Sequence, residues 1–149
     1  MKQENVQSLA IGLFSEVIAA DQAIRNRLGR VLPKGMELSH FAVLNHMARN
    51  AGGRSPAQLA STFGVTRGAM TNTLNKLEFA GYVHIRPDWE DARRKMVAIS
   101  PAGRAARDQA MSAIAPLLQA AVGDQGEEDV RRALPVLRTL RARMMDDDA

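Results

Sequence analysis

Residues 55–66 punctuate the chain in a way that leaves few folds open. Ser55 is a natural N-cap, Pro56 occupies the first helical position, and Gln58 falls three residues after the cap, where it completes a capping box. Leu59 and Phe63 supply a buried stripe, Gly64 takes up a tight turn, and Thr66 caps a second helix. In that second helix Met70, Leu74 and Leu77 fall on one face at helical spacing, and Gly81 stands where the helix stops. The opposite face carries Arg67, Gly68, Thr71, Asn72 and Asn75. It is narrow, rich in donors and acceptors and free of bulky apolar groups, a surface suited to a DNA major groove. An ordinary amphipathic surface helix also turns polar residues outward, so the flanking sequence decides between the two.

Downstream, Val83 and Ile85 alternate with His84 and Arg86, and Val97 and Ile99 alternate with Ala98 and Ser100. These are two short strands facing one core. Between them residues 87–94 form a polar loop with Arg93 and Arg94 at or near its tip, a candidate wing. Helix, turn, helix and basic hairpin together describe a winged helix-turn-helix.

The run SPAQLASTFGVTRGAMTNTLNKLEFAGYV, followed by DARRKMVAISPAG, resembles the MarR family of bacterial transcription regulators. The resemblance covers residues 55–103. Its most specific parts are LE-x-x-G-Y/L-V from Leu77 to Val83, Asp-x-Arg at Asp91 and Arg93, and I/L-S/T-P-x-G from Ile99 to Gly103. The likeness implies a homodimeric, mostly helical repressor or activator whose DNA affinity is lowered by a small phenolic or lipophilic ligand, or by thiol oxidation. The second of these needs a cysteine thiolate. The chain has no cysteine, which removes thiol redox sensing and thiolate metal sites together.

Composition agrees with one soluble globular domain, since 149 residues with 46% hydrophobic and 24% charged side chains are enough for a real core. The net charge of +4 is unevenly placed. Residues 52–100 hold seven Lys and Arg against four Asp and Glu, whereas residues 101–149 hold seven against eight, so the positive excess sits where phosphate binding needs it. No apolar run approaches a membrane span and the opening MKQENVQS is no signal peptide, so a cytoplasmic protein is expected.

A first long helix is predicted over residues 3–28, with Val6, Leu9, Leu13, Val17, Ala20, Ile24 and Leu28 repeating at three and four residues. Ile11, Phe14 and Ile18 widen its stripe beyond what one small domain buries, which favours a homodimer over a monomer with a central core helix. In the family it resembles, this helix interlaces with the last two helices of the other subunit. Pro33 and Gly35 break the chain before a second helix capped by Ser39, with Phe41, Leu44, Met47 and Ala48 inward. Residues 50–54 read as a flexible link in which Arg54 is equally a phosphate contact or a solvated residue.

After the wing, Ser100 and Pro101 open another helix through Ala106, Ala110, Ala113, Ile114, Leu117 and Ala121, which Pro116 should kink or end early. Residues 123–126 form a turn. A last helix from about residue 127 carries Val130, Leu134, Leu137, Leu140 and Met144 and has to accommodate Pro135, and Asp146, Asp147 and Asp148 read as a frayed, solvated end. The chain is therefore mainly α with a small β-hairpin wing. Dimerisation helices in residues 1–36 and 101–149 flank a DNA-binding module in residues 37–100, one intertwined domain overall.

Within the module, Arg67, Thr71 and Asn72 are the leading candidates to read base edges, with Asn75 behind them, because Arg and Asn make bidentate contacts to guanine and adenine. Gly68 lets the backbone come close. Ser55, Gln58, Thr66 and Lys76 are placed to hold phosphates, giving register rather than sequence information. Arg93 or Arg94 would enter a narrow minor groove, unless Asp91 pairs with Arg93 to shape the loop and leaves Arg94 to meet DNA. By resemblance, an effector cavity lies where the dimer helices meet the module, lined by Ile18, His40, Phe41 and Leu44, each of which also has a plain role in packing. Partners are thus double-stranded DNA, a second copy and a small lipophilic or phenolic effector, with no cofactor.

His40, His46 and His84 are not paired at metal-ligand spacing, there is no nucleophilic triad or phosphate-cradling glycine loop, and the acids Asp88, Glu90 and Asp91 sit beside arginines. No enzyme is expected. The alternative is a winged-helix module that works through protein partners or coats DNA without sequence choice.

Overall fold

The computed structural model describes residues 2–50, 52–123 and 126–146. Six helices and one hairpin follow in the order α1 (Lys2–Val31), α2 (Leu38–Arg49), α3 (Pro56–Phe63), α4 (Arg67–Phe79), β1 (Val83–Pro87), β2 (Lys95–Ile99), α5 (Pro101–Gly123) and α6 (Glu127–Met145). Helix α1 runs three residues past its expected end and stops before Pro33.

Helix α2 stands between two cores because its apolar residues cover more than one face. Val43, Leu44 and Met47 meet Leu59 and Ala60 of α3, Met70, Leu74 and Leu77 of α4, and Val83 and Val97 of the hairpin. Phe41, on the other side, packs with Leu28, Leu32, Ala110 and Ile114. The helix begins two residues earlier than a cap at Ser39 would place it. Glu37 is the N-cap, in a reciprocal box with His40: the Glu37 carboxylate accepts the His40 backbone N–H, and the Glu37 N–H donates to His40 Nδ1 at 3.3 Å. A carboxylate is also the better partner for the positive end of a helix than a hydroxyl.

The hairpin is antiparallel, with Val83 opposite Ile99 and Ile85 opposite Val97. The link before α3 is not free along its length. Arg54 bridges to Val97, donating to its carbonyl at 3.1 Å and accepting from its N–H at 2.8 Å, so the chain enters α3 along the edge of the wing. One seam joins three elements: the Ser100 hydroxyl donates to the Gly81 carbonyl at 2.6 Å and accepts the Gly103 N–H at 2.9 Å. Gly81, at φ 78°, closes α4. A Cβ on Gly103 would lie 2.1 Å from the Tyr82 carbonyl oxygen, so the first turn of α5 can sit this close only as glycine.

Neither proline ends its helix. Pro116 and Pro135 lie inside α5 and α6, and each frees the carbonyl four residues earlier, at Ser112 and Arg131. Both of those residues are exposed, so each freed carbonyl lies on the solvent side of its helix rather than in a core. Gly123 closes α5 and Gly126 is the N-cap of α6; the rest of the expected turn, and Asp147 and Asp148 of the acidic end, lie outside the described residues.

The long helices behave differently from the module. Among the described side chains of α1, none before Leu28 is buried, and α6 buries none. Val6, Leu9 and Ile18 of α1 and Val136 and Met144 of α6 each keep more than half of their surface exposed. No described helix is long and apolar enough to cross a membrane.

Candidate nucleic-acid interface

Each helix of the central pair starts on a built cap. Ser55 Oγ accepts the Gln58 N–H at 3.1 Å while Gln58 Oε1 accepts the Ser55 N–H at 2.9 Å. Gly64, left-handed at φ 62°, turns the chain, and Thr66 Oγ1 accepts the Ala69 N–H at 3.1 Å. Ser55, Gln58 and Thr66, expected to hold phosphate, thus spend side-chain oxygens on helix starts, and Ser55 is buried. With the Ser55, Gln58 and Leu59 N–H groups bonded and Pro56 lacking one, the first turn of α3 leaves the Ala57 N–H for an anion at the positive end of the helix.

The buried side of α4 is Met70, Leu74 and Leu77, as the spacing requires. Arg67, Gly68, Thr71, Asn72, Asn75 and Lys76 are all exposed. Arg67 and Thr71 form one strip at i and i+4, and Gly68, Asn72 and Asn75 the next at i, i+4 and i+7. A Cβ on Gly68 would meet nothing within 4 Å, so the space above that backbone is open. Lys76 is half exposed and its Nζ stands 3.8 Å from Glu37 Oε1.

In the wing, Asp91 does two jobs. Its carboxylate accepts the Arg93 N–H at 3.0 Å and faces the Arg93 Nε at 3.5 Å, and its carbonyl accepts the Arg94 N–H at 2.9 Å. Arg93 nevertheless keeps a 95% exposed side chain. The two alternatives for Asp91 and Arg93 are therefore compatible: an exposed pair of this kind is worth well under about 1 kcal/mol and yields readily to a phosphate.

These parts meet in a concavity of about 400 Å³. Ser55, Pro56 and Ala57 contribute the start of α3, Arg67 and Thr71 the exposed strip of α4, and Arg93, Arg94 and Lys95 the wing. Four of its lining side chains are cationic and none is acidic, so the groove concentrates positive potential. Lys95 and the Ala57 backbone were not singled out from sequence; Lys95, next to the arginine pair, carried a readable signal, whereas Ala57 has no functional side chain to notice. Asn72, Asn75, Gly68 and Lys76 lie on α4 outside the groove's lining.

The four residues offered for an effector lie in different environments on the single chain. Leu44 and Phe41 belong to the two separate cores, and Ile18 is 69% exposed on α1. His40 lines an opening of about 420 Å³, with Glu37, Lys76, Tyr82 and Gln109 among its walls. Burial holds the His40 pKa below its ordinary 6.5, against the pull of Glu37 and with a smaller push from Lys76. A second, mostly apolar cavity of about 360 Å³ lies between α1, α2, the end of α3 and α4, where Arg25, Phe63, Val65 and Met70 line it. No three His, Asp or Glu side chains gather as a metal site among the described residues.

A capped helix, a glycine turn, a second helix with an open polar face and a cationic hairpin closing on it define a winged helix-turn-helix DNA-binding module. The family model for the MarR family matches residues 34–94. Among curated proteins no sequence match is significant. Among solved structures, the chain is similar to the transcriptional regulator BldR from Sulfolobus solfataricus, with 26% identity over 90% of this chain and 95% of that one and a TM-score of 0.81. It also resembles in fold a mutant MarR from E. coli complexed with operator DNA, at 23% identity, 88% and 94% coverage and a TM-score of 0.77. CouR from Rhodococcus jostii RHA1 bound to p-coumaroyl-CoA matches at 20% identity, 87% and 90% coverage and a TM-score of 0.74. Residues 34–94 thus match the MarR family, and the chain as a whole shares the winged helix-turn-helix fold of the transcriptional regulator BldR.

Proposed function

We propose that this regulator is a homodimer that binds a pseudo-palindromic operator in double-stranded DNA with sequence preference, and that a small lipophilic or phenolic effector releases it, making it a repressor. The observation that carries this reading is the groove in which the exposed strip of α4, the start of α3 and the wing cations share one wall. Arg67, Thr71, Asn72 and Asn75 read base edges in the major groove, with Gly68 admitting close approach. Lys76 and the Ala57 N–H at the start of α3 hold phosphate, with Ser55, Gln58 and Thr66 acting through the caps they build, and Arg93 and Arg94 enter the minor groove.

Residues 1–36 and 101–149 act as dimerisation segments around the module in residues 37–100. The support is the unburied apolar surface of α1 and α6, which one chain leaves in water. A two-fold pair places two recognition helices in successive major grooves about 34 Å apart. A ligand that favours another spacing of the helices releases DNA, since equal affinity for both arrangements shifts nothing. Such a protein works on cytoplasmic DNA.

Selection of bound fragments from the source genome, followed by titration of the selected and scrambled duplexes, tests the reading. The expected result is a two-fold related motif bound at least about a thousandfold more tightly than the scrambled sequence. Strongly salt-dependent binding that ignores sequence would replace it with DNA coating.

A further inference from the structure

The wing carries a side chain for which the groove gives no account. Trp89 is the only tryptophan of the chain, it lies in the loop between β1 and β2, and it is 99% exposed. An indole buries roughly 150–250 Å² when it packs, and none of that serves this fold.

The loop holds its shape without it. Asp88 donates its N–H to the Arg94 carbonyl at 2.9 Å and accepts the Glu90 N–H on its carboxylate at 3.1 Å, while Asp91 turns the opposite arm through the N–H groups of Arg93 and Arg94. Asp88 and Asp91 keep their charge while accepting those N–H groups, so the hairpin sets Asp88, Glu90 and Asp91 against Arg86, Arg93, Arg94 and Lys95, a formal excess of one cation. The hairpin is therefore only slightly cationic by itself, and the reason to favour a polyanion over an apolar protein face is the four-cation groove that Arg93, Arg94 and Lys95 of the same hairpin line. In the minor groove, cations answer the negative potential while an apolar body presses on sugar and base edges and opens a flexible step.

We propose that Trp89 is a DNA-contacting residue, its indole seated on the minor-groove edge beside the wing arginines, where it favours an easily unstacked pyrimidine–purine step. This rests on the regulator reading above but adds a contact that reading does not need.

The sole tryptophan makes the test direct, because emission excited at the red edge of the indole band, where Tyr82 does not absorb, reports Trp89 alone. Full-length protein is titrated with its selected operator duplex while emission and acrylamide quenching are followed, and Trp89→Ala and Trp89→Phe are titrated beside it. Operator should quench the emission and shield the indole from acrylamide. Trp89→Ala should bind about tenfold more weakly with an unchanged salt slope, since no charge is lost, and Trp89→Phe should recover most of that loss. Unchanged far-ultraviolet circular dichroism checks that the variants fold.

Tight operator binding with unaltered emission, or a Trp89→Ala variant that binds as well as wild type, overturns the proposal and leaves the regulator reading standing. Shielding that depends on protein concentration without DNA assigns the indole to contact between copies instead. Failure of the wild-type protein to prefer any duplex removes both.

Discussion

Arg67 and Asn72 project from the exposed face of α4 with no ion pair to satisfy them among the described residues, whereas Lys76 already faces Glu37. That difference sorts their roles. Arg67→Ala and Asn72→Ala should each cost about 1–3 kcal/mol on the cognate sequence and relax preference at one position; Lys76→Ala should weaken all duplexes alike and lower the salt slope by about 1. Equal losses on cognate and scrambled DNA for all three variants would contradict this division. Gly68 gives a cleaner separation, since a methyl group there meets no protein atom. Gly68→Ala should raise stability to urea by about 0.5–1 kcal/mol, through helix propensity, and yet bind operator more weakly because the methyl stands between backbone and bases.

His40 ties the residue scale to pH. Its Nδ1 accepts the Glu37 N–H, a role lost when that nitrogen carries a proton, and burial lowers its folded pKa below 6.5. The folded protein therefore binds fewer protons than the unfolded chain just below neutrality. The stabilisation is present above about pH 6.5 and is lost as pH falls toward the folded value. Urea midpoints measured from about pH 8 down to pH 5 should fall for wild type and stay flatter for His40→Asn, whose amide oxygen keeps an acceptor without titrating.

At the scale of elements, the position of the wing depends on one close approach. Gly103 lets the first turn of α5 lie against the Tyr82 carbonyl, and Ser100 spans from that turn to the end of α4. Gly103→Ala forces backbone to move and should cost about 2–3 kcal/mol in thermal or urea unfolding. It should also weaken operator binding in the folded fraction, because the hairpin shifts relative to α4. Much of this level was legible beforehand: the caps at Ser55 and Thr66, the stop at Gly81 and the alternation of the strands are local signals. The cap of α2 was not, since Glu37 works through His40 and a buried histidine at that position carries no local mark. The pairing of Arg54 with Val97 was not legible for a related reason: it depends on a strand more than forty residues away in the chain.

For the whole molecule, the imbalance between a well-buried module and bare long helices is the main fact. Leu9 and Ile18 each leave about two-thirds of their surface in water on the single chain. Leu9→Asp or Ile18→Asp should therefore leave the module's own unfolding unchanged, convert the dimer to monomer in sedimentation, and reduce operator affinity by about a hundredfold as the second half-site stops contributing. A variant that stays monomeric yet binds as tightly as wild type would remove the two-fold assembly from the mechanism.

The sequence by itself determined the helix-turn-helix, the wing and the polar strip of α4, because capping, turn chemistry and periodicity act over a few residues and are written where they act. Only the tertiary structure decided which of those groups meet. It set the start of α3, Thr71 and Lys95 around one groove, spread Ile18, Phe41 and Leu44 over different environments, and left Trp89 in water. Those outcomes follow from packing between segments far apart in the chain, where no single stretch holds the information.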